Sequence, residues 1–410
     1  MNECKDSVVS AVGDATPERK QAAWAAVCAM MLGVLSLVTA EFLPMSLLTP
    51  MARDLGVSEG TAGQAVTVTA FTALVASLLV ATITRRFNRR PVLLIFSVLL
   101  IASDLLVANA TNLAMLLMGR LLLGVALGGF WTMAAATTTR LVPSALVPRA
   151  LAIVMSGIAG SSILSGPVGS AFGNVVGWRG VFVMAAGLGG LALVIQIFTL
   201  PSLEPRGQAR FGTLIEILQR PRLGLGMAAA TLVFAGHYAL LTYIRPFLET
   251  ITGVGVPGIS AILLGFGVAN YLGTFVGGAL TTRNLGQTLA AMPLVIATLG
   301  LLLATFGGLA PIDAVMIALW GLAFGGVPVA WTTWITRLVP DETESGTGIF
   351  IAAAFLGISM GAAGGGVVYD FGGARSVMIA GAATLIIAVL IVNLRLKVAA
   401  AATTQRQSAG

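Results

Sequence analysis

Few residues of this chain are equipped for chemistry, and those few sit inside long apolar stretches. Glu41 lies about 17 residues into one such stretch and Arg120 about 8 residues into another. A charged side chain at the bilayer centre costs about 2.5 to 3.5 kcal/mol on insertion scales, so ionisable groups there are functional by default. If the two stretches are antiparallel neighbours, a rise of 1.5 Å per residue puts Glu41 and Arg120 at similar depth in the outer half of the membrane. One reading is a carboxyl that takes up and releases a proton, with the guanidinium beside it in one state and withdrawn in another. A permanent ion pair, or a Glu41 solvated near the outer surface, fits the same residues. Asp104, about 5 residues from the outer end of its own stretch, reads either as a second coupling carboxylate or as one that simply reaches the interface.

A second set of residues suits ligand recognition. Phe42, Phe71, Trp131, Tyr238, Trp331 and Trp334 offer flat rings for a flat substrate, and Gln64, Thr132, Asn270 and Thr332 offer hydrogen bonds. Aromatic side chains in membranes also serve as interface anchors, and that alternative stays open for each. The run from Gly157 to Gly173 contains Gly160 and Gly166-Pro167-Val168-Gly169. Proline removes a backbone donor while glycine permits close helix contact, so the run is either a hinge or an ordinary kink with a packing seam. Arg85, Arg86, Arg89 and Arg90 form a basic loop that reads as a topology signal or as a gate.

Other chemistries lack their parts. Cys4 and Cys28 are the only cysteines and His237 the only histidine, which removes the usual metal-ligand sets, and no nucleophile has an adjacent base. Neither an enzyme nor a bound cofactor is expected, and the proton is the expected coupling ion. The net charge of +7 is spread over short loops rather than gathered on a soluble face, so nucleic acid is not an expected partner.

The elements that must position these residues follow from composition. Of the 410 residues 57% are hydrophobic and 10% charged, against about 25% charged in an ordinary soluble domain. A span needs about 20 apolar residues, and the pattern predicts twelve, at residues 24–48, 60–83, 91–109, 112–138, 149–173, 179–200, 224–248, 258–281, 286–307, 312–336, 344–369 and 374–396. The first begins after an acidic tail and outruns a signal-peptide core, so it reads as a retained span. Alternate loops then divide the 23 basic residues 18 to 3, with Arg120 and Arg245 inside spans. The positive-inside rule places both termini in the cytoplasm. The expected organisation is a tail (residues 1–23), a six-helix bundle (24–200), a cytoplasmic linker with a short amphipathic segment (201–223), a second bundle (224–396) and a tail (397–410).

The two halves are related. Gly124-Val-Ala-Leu-Gly128-Gly129, ending in Thr139-Arg140-Leu141-Val142-Pro143, matches Gly321-Leu-Ala-Phe-Gly325-Gly326, ending in Thr336-Arg337-Leu338-Val339-Pro340, at an offset of 197 residues. Gly177-Trp178-Arg179 answers Gly373-Ala374-Arg375 at 196. The offset joins spans of the same direction, so the repeats are parallel and substrate is expected between them. His237 falls one residue short of the counterpart of Glu41; its imidazole suits proton traffic near neutral pH, or else packs through hydrogen bonds.

Arg120-Leu-Leu-Leu-Gly124-Val-Ala-Leu-Gly128 resembles the fourth-span pattern R-x-x-x-G-x-x-x-G of the exporters of the major facilitator superfamily, and Gly166-Pro167-Val168-Gly169 resembles their fifth-span antiporter motif. The resemblance is to the twelve-span drug:H+ antiporter type. Narrower strings, from Glu41-Phe-Leu-Pro-Met to Val327-Pro-Val-Ala-Trp331-Thr-Thr-Trp334, are similar to bacterial purine ribonucleoside efflux pumps of that superfamily. The likeness implies a monomeric all-α inner-membrane protein with two parallel six-helix repeats, exporting inosine, guanosine and related purines by proton antiport. It implies Glu41 and Arg120 as the coupling pair. A sugar or drug exporter of the same fold, or a sensor that no longer transports, remains the alternative. The superfamily's loop motif G-x-x-x-D-R-x-G-R-R would start at Ala81, but Arg85 and Asn88 replace its aspartate and second glycine, so a gating salt bridge of that kind is not expected here.

Overall fold

The computed structural model describes residues 22–84, 87–204, 220 and 222–396. The Arg85-Arg86 pair, the expected surface segment around Arg206, Arg210 and Glu216, and nearly all of both tails lie outside the described residues. Within them every regular element is a helix, with no strand.

Eleven helices are long and apolar enough to cross a membrane. We number the spans in chain order: 1, Trp24–Leu55; 2, Gln64–Ile83; 3, Arg89–Ala108; 4, Leu113–Leu141; 5, Val147–Val175; 6, Gly177–Thr199; 7, Leu223–Thr242; 8, Val256–Arg283; 9, Leu285–Phe306; 10, Ala310–Leu338. The last helix, Thr343–Ile391, breaks at Gly373 (φ 72°, ψ −171°), which divides it into spans 11 and 12. Gly177, its counterpart in the first half, also has positive φ (75°) between spans 5 and 6. A side chain resists that conformation, so glycine at both places lets the chain reverse between antiparallel spans.

Span 1 runs past its expected end, to Leu55, because Pro44 and Pro50 are accommodated inside the helix and the stop comes at left-handed Gly56. Span 7 ends early, at Thr242, followed by the short helix Ile244–Phe247 and a π-turn, Leu248–Thr252.

The repeat seen as spelling recurs as packing. In the first half span 4 lies on span 2 so closely that a Cβ on Gly124 or Gly128 would strike the carbonyls of Thr69 and Ala73. In the second half span 10 lies on span 8, and a Cβ on Gly321 or Gly325 would strike the carbonyls of Phe266 and Asn270. All four pairs are related by 197 residues. Lipid supplies no hydrophobic drive between helices, so such backbone contact is what small residues provide. Spans 1 and 5 pack similarly through Gly157, and spans 7 and 11 through Gly357 and Gly361.

The two halves meet along spans 2 and 11 and along spans 5 and 8. Several hydrogen bonds across this seam lie in the half of the molecule away from the termini. Asp370 accepts from the Ser58 hydroxyl (2.9 Å) and the Gly60 N–H (3.2 Å). The Tyr243 hydroxyl reaches the carbonyl of Gly60 across the seam (3.4 Å) and that of Ala362 within its own half (3.0 Å). Arg245 donates to the Ser46 carbonyl and pairs with Glu249 at 2.8 Å. The hydroxyls of Ser170 and Ser260 are 2.6 Å apart.

Candidate functional site

A cavity opens between the halves. Span 1 contributes Phe42, Met45 and Ser46, span 5 Ser162, Ser165 and Gly166, and the second half adds His237, Tyr238, Phe266, Asn270 and Phe324 among others. Its wall is mostly apolar and aromatic with a few polar groups, the usual make-up of a small-molecule site. Three of the ring and amide residues singled out for ligand contact, Phe42, Tyr238 and Asn270, line it.

The others do not. Trp331 is completely buried and packs edge-on against Trp334, their centroids 5.6 Å apart. Trp334 in turn covers Gly226 of span 7. Trp131 is partly buried against the core of the half nearer the termini, and Gln64 is the first residue of span 2, at the opposite end. Phe71 faces outward. Sequence placed all of these on suitable spans, but the helical rotation that carries a ring towards or away from the cavity is set by packing. The residues missed were Ser46, Ser162, Ser165, Phe266 and Phe324. Ser165 adjoins the Gly166-Pro167 motif, which is the one local signal that pointed at its position.

Spans 1 and 4 are neighbours. Arg120 is completely buried, but its Nη1 donates to the carbonyl of Ala40 at 2.8 Å rather than to the Glu41 carboxylate, so no closed ion pair joins the two. Its guanidinium carbon lies 4.7 Å over the Phe182 ring. Asp104 and Glu41 are the two carboxylates whose charge acts on it. Asp104 does not reach the interface: it is wholly buried, with neither carboxylate oxygen hydrogen-bonded among the described residues. Span 3 packs on spans 4 and 6, and that turns Asp104 inward. Glu41 retains 8% exposure whereas Asp104 and Arg120 have none, so of the three only Glu41 meets solvent in this conformation. Next to it, Phe42 opens onto the cavity.

The antiporter-type motif lies on the seam. A Cβ on Gly166 would come within 2.8 Å of the Leu263 Cβ in span 8, and one on Gly169 would strike Ser46 in span 1. Pro167 stands inside span 5 between them. His237 is completely buried on the cavity wall, where its Nδ1 accepts from the indole N–H of Trp320 at 3.0 Å. In the loop before span 3, Asn88 caps that span and accepts from the Leu203 N–H, tying the 2–3 connection to the end of span 6.

The profile of the Major Facilitator Superfamily matches residues 30–362. The chain belongs to this superfamily. It is a multi-pass transporter rather than an enzyme, and its twelve spans in two parallel repeats are the fold of that superfamily. The purine ribonucleoside efflux pump NepI of Salmonella paratyphi B is 41% identical over 375 residues, covering 92% of this chain and 94% of the relative. The pump of the same name from Salmonella enteritidis matches to the same extent. Among solved structures, the nucleoside transporter NupG superposes with a TM-score of 0.76 at 13% identity, over 90% of this chain and 99% of that one. A bacterial homolog of the human lysosomal transporter Spinster, inward-facing and unoccupied, superposes at 0.74 with 18% identity, over 91% and 97%. Both are likenesses of fold.

Proposed function

We propose that this superfamily member exports purine ribonucleosides such as inosine and guanosine across the inner membrane in exchange for protons, acting as a monomer with both termini in the cytoplasm. The observation that carries the coupling is that Glu41, the one solvent-reached carboxylate of the buried charge cluster, adjoins a mostly apolar cavity between the halves. The substrate class rests on the relatives that share 41% identity over 92% of the chain. The orientation rests on the distribution of basic residues.

In the proposed cycle Glu41 is protonated from outside in one orientation and releases its proton inside as the cavity takes substrate. Arg120, held to the Ala40 carbonyl, supplies the positive charge that a deprotonated Glu41 faces. The driving force suffices: one charge crossing about 100 mV releases about 2.3 kcal/mol, which sustains roughly a 50-fold gradient of a neutral nucleoside.

The test is transport of radiolabelled inosine in proteoliposomes. Wild type is expected to show both counterflow and pH-driven accumulation. Glu41→Gln is expected to keep counterflow and lose driven transport. Unchanged driven transport in that variant removes Glu41 from the coupling role, and a substrate panel without purine preference replaces the substrate class with a broader one.

A further inference from the structure

The partners of His237 fix how its imidazole takes part in hydrogen bonding. Indole N–H is a donor only. Because Trp320 Nε1 donates to His237 Nδ1 at 3.0 Å, Nδ1 must present its lone pair, and the ring proton therefore resides on Nε2. One ring face is covered and a second ring stands farther off. Phe324 lies parallel to the imidazole, centroids 3.3 Å apart and 2° between planes, and Phe266 lies 6.5 Å away at 20°. Tyr238 meets it edge-on at 5.1 Å. What remains is the Nε2 edge, fully buried and without a hydrogen-bond partner among the described residues.

A buried N–H left without an acceptor has given up its hydrogen bond to water with nothing in return. His237 is one of the residues that line the cavity, and a donor without an acceptor on such a residue is open to an acceptor atom brought by a ligand. We infer that His237 is a specificity-determining residue that donates its Nε2–H to an acceptor atom on the edge of a flat heteroaromatic substrate, with Trp320 as the positioning residue that holds the required tautomer. The acceptor is a ring nitrogen or a ring carbonyl oxygen. Phe42 and Phe266, which line the same cavity, supply apolar aromatic wall for the same ring system. A saturated, hydroxyl-rich ligand gains less from this arrangement, since it brings no planar face to the aromatic wall. The inference rests on the nucleoside reading of the cavity and adds to it the group that recognises the base.

Two measurements test it. Since His237 is the only histidine in the chain, 15N-histidine labelling yields a single imidazole spectrum. The expected spectrum has a protonated Nε2 and an unprotonated Nδ1, and Trp320→Phe is expected to release that preference. A protonated Nδ1 in the wild type overturns the inference. The second measurement is inosine counterflow in His237→Asn, which keeps a side-chain N–H, and His237→Phe, which keeps shape alone. The expected result is a KM raised about tenfold or more in His237→Phe, a smaller rise in His237→Asn, and driven-to-counterflow ratios equal to wild type in both. Equal KM values in wild type and both variants, or loss of driven transport with counterflow intact, overturn it. If His237→Phe fails to fold, the spectrum and the Asn variant still decide. Absence of saturable inosine counterflow in the wild type refutes the nucleoside reading instead, while leaving the tautomer result standing.

Discussion

Arg120 is anchored 2.8 Å from the carbonyl of Ala40, one residue before Glu41, so the guanidinium is fixed by backbone while the neighbouring carboxylate is left free of it. The charge of the same cation also acts on Asp104, which is sealed from solvent.

Replacing Arg120 therefore has two separable effects. Arg120→Ala leaves Asp104 buried without its cation and is expected to lower stability by about 3 to 5 kcal/mol, with Asp104→Asn in the same chain restoring part of it. Arg120→Lys keeps the charge but loses the planar fork that reaches Ala40 while lying over Phe182. It is expected to fold and to drive transport about tenfold more slowly. Thermal unfolding in detergent and pH-driven inosine uptake read the two effects, and an Arg120→Ala protein as stable as wild type would refute the counter-charge role.

The glycine contacts predict paired stability losses. A methyl at Gly128 meets the Ala73 carbonyl, and one at Gly325 meets that of Asn270, where backbone has little room to retreat. Gly128→Ala and Gly325→Ala are each expected to cost about 1 to 3 kcal/mol. Gly187→Ala has open space around it and is the control, expected within about 0.5 kcal/mol of wild type. Equal unfolding temperatures for all three would show that these seams are not tight.

The pH dependence of transport is expected not to come from the exposed pair Arg220 and Asp341. Hydrogen bonds from Arg220 at 2.9 and 2.7 Å hold the Asp341 carboxyl below its ordinary range. A depressed carboxyl contributes above its unfolded value of about 3.9 and loses that contribution only as pH falls through the lower folded value. Across pH 5.5 to 8 its charge is constant. Asp341→Asn should thus leave the shape of the pH–transport curve unchanged over that window, and a shifted midpoint would implicate the pair.

The apolar lengths, the alternation of basic loops and the 197-residue offset by themselves determined a twelve-span, two-repeat membrane protein, because lipid imposes helix length and close packing imposes glycine at repeat-related positions. They also brought forward Glu41, Arg120 and the Gly166-Pro167 motif, since a charge or a proline inside a span is conspicuous on any reading. Only the tertiary structure decided which rings face the cavity. Trp331 and Trp334 turned into packing while Phe266 and Phe324 turned towards the ligand space, as the angle of a helix about its own axis is set by its neighbours. The structure likewise sealed Asp104 inside, parted Glu41 from a direct contact with Arg120, and set Trp320 against His237 from 83 residues away. Those relations depend on atoms meeting between helices, and neither composition nor periodicity carries that information.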